Sequence, residues 1–208
     1  STIEEARADL FALYYLGDEK LVELGLTPNM DAHKSQYYSY LQNGALTQLV
    51  RIKAGATIEE AHMRNRALVA NWVLDHARMA KTAHPAAELV KVKGKTYVRV
   101  NDYVEVRRLF GELLAEIQRI KSEGDFNAAR DLIERYAVKI DPKLHQEILT
   151  RYERLHLSPY KGFINPVYHA QRDASGNITD VTLTYDEAFD VQNLRYSRDY
   201  NFLPLVNE

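Results

Sequence analysis

Cysteine is absent from the 208 residues, which excludes disulfides, thiolate metal sites and a cysteine nucleophile. An excess of one charge is missing as well. The 27 Lys and Arg stand against 29 Asp and Glu, a formal charge of −2, so no electrostatic pull toward nucleic acid or an anionic membrane is expected as a partner interaction. No apolar run approaches the ~20 residues that a bilayer-spanning helix needs. Internal repeats and low-complexity stretches are missing too. Ser1 opens the chain without a Met, a charged leader or an apolar signal core, and a helix start follows at once. Such a beginning reads as an excised or recombinant piece of a longer protein. The triplet Asn177-Ile178-Thr179 fits the glycosylation pattern, but so short a match reads as chance.

What is present suits a soluble globular core: 46% of residues are hydrophobic and 27% charged. The expected fold class is mainly α with two small β-hairpins, α+β by strict count, drawn as a single domain over 1–208. A first sub-element, 1–82, is helical. Thr2 to Tyr15 reads as a helix opened by a capping box of Thr2 and Glu5, and Asp18 to Leu24 as a short one. Asp31 to about Ile52 forms a third, and a second capping box, Thr57 with Glu60, opens a helix to about Lys81. Residues 88–101 read as a hairpin turning at Lys93-Gly94. Across 102–157 three helices follow, the first apolar at Val106, Leu109, Leu113, Ile117 and Ile120, in steps of three and four. Gly124-Asp125 caps the next, to about Tyr136, and Asp141-Pro142 the last. The remainder, 158–208, reads as a proline-bounded loop, a hairpin through Asp173–Asn177 and a final helix from Asp186 to about Tyr200.

Candidate chemistry begins in the first helix, Glu4-Glu5-Ala6-Arg7-Ala8-Asp9. Glu5 and Asp9 are four apart and share a face. One carboxylate there can bind a metal while the other orients a ligand; equally, the pair can be a solvated acidic face that suits the helix dipole. None of the seven histidines begins a His-Glu-x-x-His pattern, and no two lie four apart. The pair that would give a catalytic zinc two of its three protein ligands is therefore not in these residues. His62 and Arg66 share a face of the helix opened near Thr57, placed either to stabilise developing negative charge or to sit idle on the surface. Lys161, beside Gly162, can bind a carboxylate or nothing.

Glu4-Glu5-Ala6-Arg7-Ala8-Asp9 resembles the second signature of the dipeptidyl peptidase III family, Glu-Glu-x-x-Ala-Glu/Asp. Three further stretches resemble family segments in order and spacing: Glu60-Ala61-His62-Met63-Arg64-Asn65-Arg66, Ile120-Lys121-Ser122-Glu123-Gly124-Asp125 and Lys161-Gly162-Phe163-Ile164-Asn165-Pro166. The resemblance implies the C-terminal part of the helical catalytic lobe of a two-lobe metallopeptidase. It implies Glu5 as a zinc ligand and Glu4 and Asp9 as hydrogen-bond partners of ligating histidines. His62 and Arg66 would then line the cleft, with His62 near the developing oxyanion, and Lys161 would hold the carboxyl side of the substrate. Where the family has Arg-Lys, this chain has Tyr160-Lys161.

The two histidines and the catalytic glutamate belong to a His-Glu-x-x-Gly-His motif upstream in the family, together with the lobe that grips the substrate N-terminus. The implied parent is a zinc-dependent peptidase of the cytoplasm that releases dipeptides from the N-termini of oligopeptides. The 208 residues alone are then expected to be inactive, with zinc absent or weakly held. Two other readings stand beside it. One is a freestanding helical interaction module with a merely acidic first helix; the other is a degenerate family member kept for a non-catalytic role.

Overall fold

The computed structural model describes residues 1–80, 82–156 and 164–202. They fall into two compact units, residues 1–157 and 158–208, so the loop, hairpin and final helix read above as the last sub-element are described by themselves. The chain is mainly helical with two antiparallel two-stranded sheets, as the periodicities implied.

In the first unit, α1 spans Thr2–Leu16, α2 Glu19–Glu23, α3 Ala32–Ala45 and α4 Ala61–Met79. A hairpin of β1 (Ala87–Val92) and β2 (Lys95–Val100) leads to α5, Tyr103–Glu123. Next come α6 (Phe126–Ile133), one π-helical turn (Glu134–Val138) and α7 (Pro142–Glu153). The hairpin turns at Lys93 and Gly94 with φ of 50° and 75°, the left-handed pair that matches the twist of two-residue hairpins. α4 lies at the centre, packed against α1, α3, α5, β1 and the π turn. Its Ala67, Leu68, Val69, Ala70, Val73 and Ala77 are buried. Alanines on that surface let neighbouring backbones come close. The closest approach is at Gly44 of α3, where an added Cβ would lie 2.2 Å from the Arg66 carbonyl oxygen. From the other side α5 buries the expected stripe, Val106, Leu109, Leu113, Ile117 and Ile120, together with Phe110. Tyr37 fills the seam: its ring meets Phe110 edge-on at 5.0 Å and its hydroxyl donates to the Leu13 carbonyl at 2.8 Å.

Three helix boundaries in the first unit differ from expectation, and the last helix of the chain begins at Phe189 rather than Asp186. Ser1, not Thr2, accepts from the Glu4 amide, and Thr2 is buried inside the first turn. The helix expected over 31–52 stops at Ala45 and resumes as a 3-10 turn, Thr47–Arg51. There the Gln48 amide nitrogen donates to the carbonyls of Gly44 (2.9 Å) and Met63 (3.0 Å), fastening the break to α4. The expected Thr57 cap is replaced by Glu60, which accepts from the amides of His62 and Met63 at 2.8 and 3.0 Å. In the chain before α4, buried Ile58 donates its amide to the Val138 carbonyl at 3.1 Å.

The second unit contains β3 (Val167–Arg172), β4 (Ile178–Thr184) and α8 (Phe189–Asp199). The strands pair from Val167↔Thr184, with a bulge between Gln171 and Arg172. Asp173 closes the turn by accepting from the amides of Ser175 and Asn177, each at 2.9 Å. The Gln192 side chain of α8 clasps the backbone of Asn165, accepting from its amide at 2.8 Å and donating to its carbonyl at 2.9 Å.

Candidate functional site

Two helix starts build the site. α1 and α4 pack together, and near their starts Glu5 of one comes up to His62 of the other. Glu60 fixes where α4 begins and so places His62 at the second position of the helix, near the positive end of its dipole. The Glu5 Oε2 to His62 Nδ1 distance is 3.2 Å, with side-chain exposures of 35% and 59%. Residues 57 apart in sequence thus meet at the surface of the first unit. Glu5 Oε1 has no hydrogen-bond partner among the described residues.

One turn along α1, Asp9 lies half-buried and points its Oδ2 into the helix packing. That oxygen accepts from the Tyr40 hydroxyl of α3 at 2.8 Å and from the Asn65 amide nitrogen of α4 at 2.7 Å. Burial, and then the Asp9 carboxylate beside it, push the Tyr40 hydroxyl far above its ordinary value, so the phenol keeps its proton as a donor. Asn65 is 1% exposed. Arg66 is half-buried and forms no ion pair or hydrogen bond among the described residues; its charge favours the ionised forms of Tyr40 and Glu60. Glu4 behaves differently from Glu5. Its carboxylate is taken by Lys121 of α5 and by Arg7 at 2.6 Å. Those two hydrogen bonds, Lys121 first, hold it below the ordinary glutamate range.

The fold therefore brings Glu5, His62, Asp9 and Arg66 to the adjoining faces of α1 and α4, and turns Glu4 toward α5. Lys161 lies outside the described residues. Spacing had not pointed to Tyr40, Asn65 or Glu60. A signal for Asn65 does exist: it stands three and four residues before buried Leu68 and Val69, a polar side chain on an otherwise apolar face.

Among the described residues no group of three or more His, Asp or Glu side chains is gathered as a metal would need. The donors present suit zinc in kind but not in number. Glu5 offers a free oxygen and His62 an imidazole, whereas a catalytic zinc takes three protein ligands and keeps one position open.

Residues 1–154 match the family described as peptidase family M49, the dipeptidyl peptidase III family. The chain belongs to that family. M49 is a family of metallopeptidases, so the α1–α4 surface is part of a protein lineage that hydrolyses peptide bonds. No match among curated proteins accompanies it. The matched span contains Glu4, Glu5, Asp9, His62 and Arg66 and ends before Lys161. Among the described residues no helix is long and apolar enough to cross a membrane.

Proposed function

We propose that these residues form one wall of the catalytic cleft of a zinc-dependent dipeptidyl peptidase that releases dipeptides from the N-termini of oligopeptides. The observation that carries the reading is the meeting of Glu5 and His62 across two helices, with Asp9 clamped one turn away. Glu5 would hold the zinc with its free oxygen, completed by two histidines outside these 208 residues, where an upstream lobe would also grip the substrate N-terminus. The metal, when bound, polarises the scissile carbonyl and lowers the pKa of a coordinated water.

The chain's own residues have distinct tasks around that chemistry. His62, exposed and within reach of Glu5, would donate a ring N–H to the oxygen of the scissile carbonyl as negative charge develops there. Arg66, a cation with no carboxylate partner among the described residues, would add positive potential one turn behind it. Asp9 would accept from the outer nitrogen of a ligating histidine, fixing its tautomer and raising its basicity. Lys161 would take the carboxyl side of the peptide. The cytoplasm remains the expected compartment.

The test uses the intact peptidase that carries this chain with its histidines. Glu5→Ala should lose bound zinc and nearly all activity, while His62→Ala should lower kcat and keep its zinc. Metal content by mass spectrometry separates the two. A His62→Ala protein stripped of zinc would mean that His62 is itself a ligand. The 208 residues alone, given zinc and a chromogenic dipeptide substrate, should show weak, easily displaced metal and no turnover; tight stoichiometric zinc with turnover would overturn the assignment.

A further inference from the structure

Three helices converge on one carboxylate oxygen. Asp9 on α1, Tyr40 on α3 and Asn65 on α4 are 31 and 25 residues apart along the chain, yet their polar atoms meet within hydrogen-bonding distance. The donors are unambiguous. A carboxylate only accepts, so the group of Asn65 at 2.7 Å from it is the amide nitrogen, and its carbonyl oxygen is the atom 3.2 Å from the Tyr40 hydroxyl. Tyr40 has one proton to give, and the charged oxygen at 2.8 Å takes it in preference to a neutral one farther off. Both donors address Asp9 Oδ2. Asp9 Oδ1 has no hydrogen-bond partner among the described residues.

This asymmetry has a consequence for orientation. An aspartate side chain anchored through two donors from two different helices cannot rotate about its terminal bond without breaking both contacts. Its second oxygen is thereby aimed in one direction, with its lone pairs open. A neutral clamp also leaves the negative charge in place, whereas an arginine or lysine at the same spot would cancel it. Asn65 is buried, and among the described residues its amide nitrogen serves no acceptor but Asp9; Tyr40 is partly buried beside it. Two neutral donors from separate helices on one oxygen are more than capping or solubility requires.

We propose that Tyr40 and Asn65 are positioning residues: they lock Asp9 through Oδ2 so that Oδ1 is presented to the outer ring nitrogen of a metal-binding histidine. The inference rests on the role given to Asp9 above. Its effect should be read in metal affinity rather than in substrate contact, because both side chains give their hydrogen bonds to Asp9. Loss of one donor should weaken zinc by up to about tenfold, the low end of what outer partners of metal-ligating histidines cost.

The experiment measures zinc affinity by chelator competition in the intact peptidase, for Tyr40→Phe, Asn65→Ala and Asp9→Ala alone and for Tyr40→Phe in the Asp9→Ala background. Urea midpoints of the metal-free proteins are recorded alongside. Expected are weaker zinc binding in Tyr40→Phe and Asn65→Ala, and no further effect of Tyr40→Phe once Asp9 is gone. A purely structural clamp would lower the urea midpoint and leave zinc affinity at the wild-type value, which overturns the proposal. It also falls if Tyr40→Phe weakens zinc equally with and without Asp9. Wild-type zinc affinity in Asp9→Ala would instead remove the Asp9 role itself, and the positioning role with it; the single variants tell these failures apart.

Discussion

Replacing Gly44 by alanine sets two effects of known sign against each other. In a helix interior alanine is favoured over glycine by about 0.8–1.0 kcal/mol, an upper limit for Gly44 in the last turn of α3, so propensity alone makes Gly44→Ala stabilising. Packing says the opposite. The new Cβ would sit 2.2 Å from the Arg66 carbonyl oxygen and 2.8 Å from Ala70 Cβ, where ordinary contact begins at 3.4 Å. The first gap alone needs 3.4 − 2.2 = 1.2 Å of movement, and the obstructing atom is backbone, which cannot swing aside as a side chain would. Either α3 and α4 separate or α4 bends at Arg66. Overpacking of this kind costs about 1–3 kcal/mol, and a backbone obstacle belongs in the upper part of that range. The net expectation is a loss of about 1–2 kcal/mol, read as a lower urea midpoint at unchanged slope. Gly111→Ala is the control. Its Cβ would meet the Tyr14 ring edge at 2.7 Å, and a ring can turn, so that variant should stay within about 1 kcal/mol of wild type. A Gly44→Ala protein more stable than wild type would refute the close approach of the two helices, and with it the placement of Arg66.

Glu147 ties α7 to the hairpin by accepting from the Thr96 amide and hydroxyl, at 2.5 and 2.8 Å. Burial raises its pKa, but the two Thr96 donors together with the charges of Lys91 and Arg151 outweigh that and hold it below the ordinary 4.5. Its stabilisation is therefore fully present above pH 4.5 and lost as pH falls through the lower folded value. The protection factor of the Thr96 amide, its exchange rate divided into the intrinsic rate at the same pH, should fall on acidification in wild type, and should already be low at neutral pH in Glu147→Ala. Within the first helix, Glu4→Ala should weaken zinc binding in the intact peptidase less than Asp9→Ala does, because Lys121 and Arg7 already occupy the Glu4 carboxylate. Chelator competition on the two variants decides the order.

Periodicity read the first unit well wherever neighbours in sequence are also neighbours in space. The stripe of α5 and the Lys93-Gly94 turn depend on spacing and on a local backbone requirement, and both are visible in a single stretch of chain. What escaped depends on distant partners. Thr57 and Glu60 have the form of a capping box, yet Glu60 itself is the cap, and buried Ile58 just before it is fastened by its amide to Val138, 80 residues away. Likewise nothing local tells Gln48 that its amide will fasten to Gly44 and Met63 and end a helix early. The site was legible through the likeness of its motifs, and the spacing rule correctly placed Glu5 and Asp9 on one side. Which carboxylate was free and which engaged could not be read, because Lys121, Tyr40 and Asn65 arrive from other helices.

That division among carboxylates is the physical content of the first helix. Glu4, Glu5 and Asp9 place three negative charges within two turns, and left alone they would repel one another and any fourth acid. The fold deals with each differently. Glu4 is neutralised by two cations, and Asp9 keeps its charge while two neutral donors hold one oxygen. Glu5 keeps an oxygen open beside a single imidazole. Only Glu5 thus combines full charge, an unengaged lone pair and access to solvent, the conditions a divalent cation requires of a carboxylate ligand. Asp9 combines charge with restraint, which suits a residue that orients an imidazole better than one that follows a metal. For Glu5 and Asp9, what their neighbours leave each carboxylate free to do is compatible with the roles that the motif implies, while Glu4 would have to leave Lys121 and Arg7 before it could turn toward a histidine.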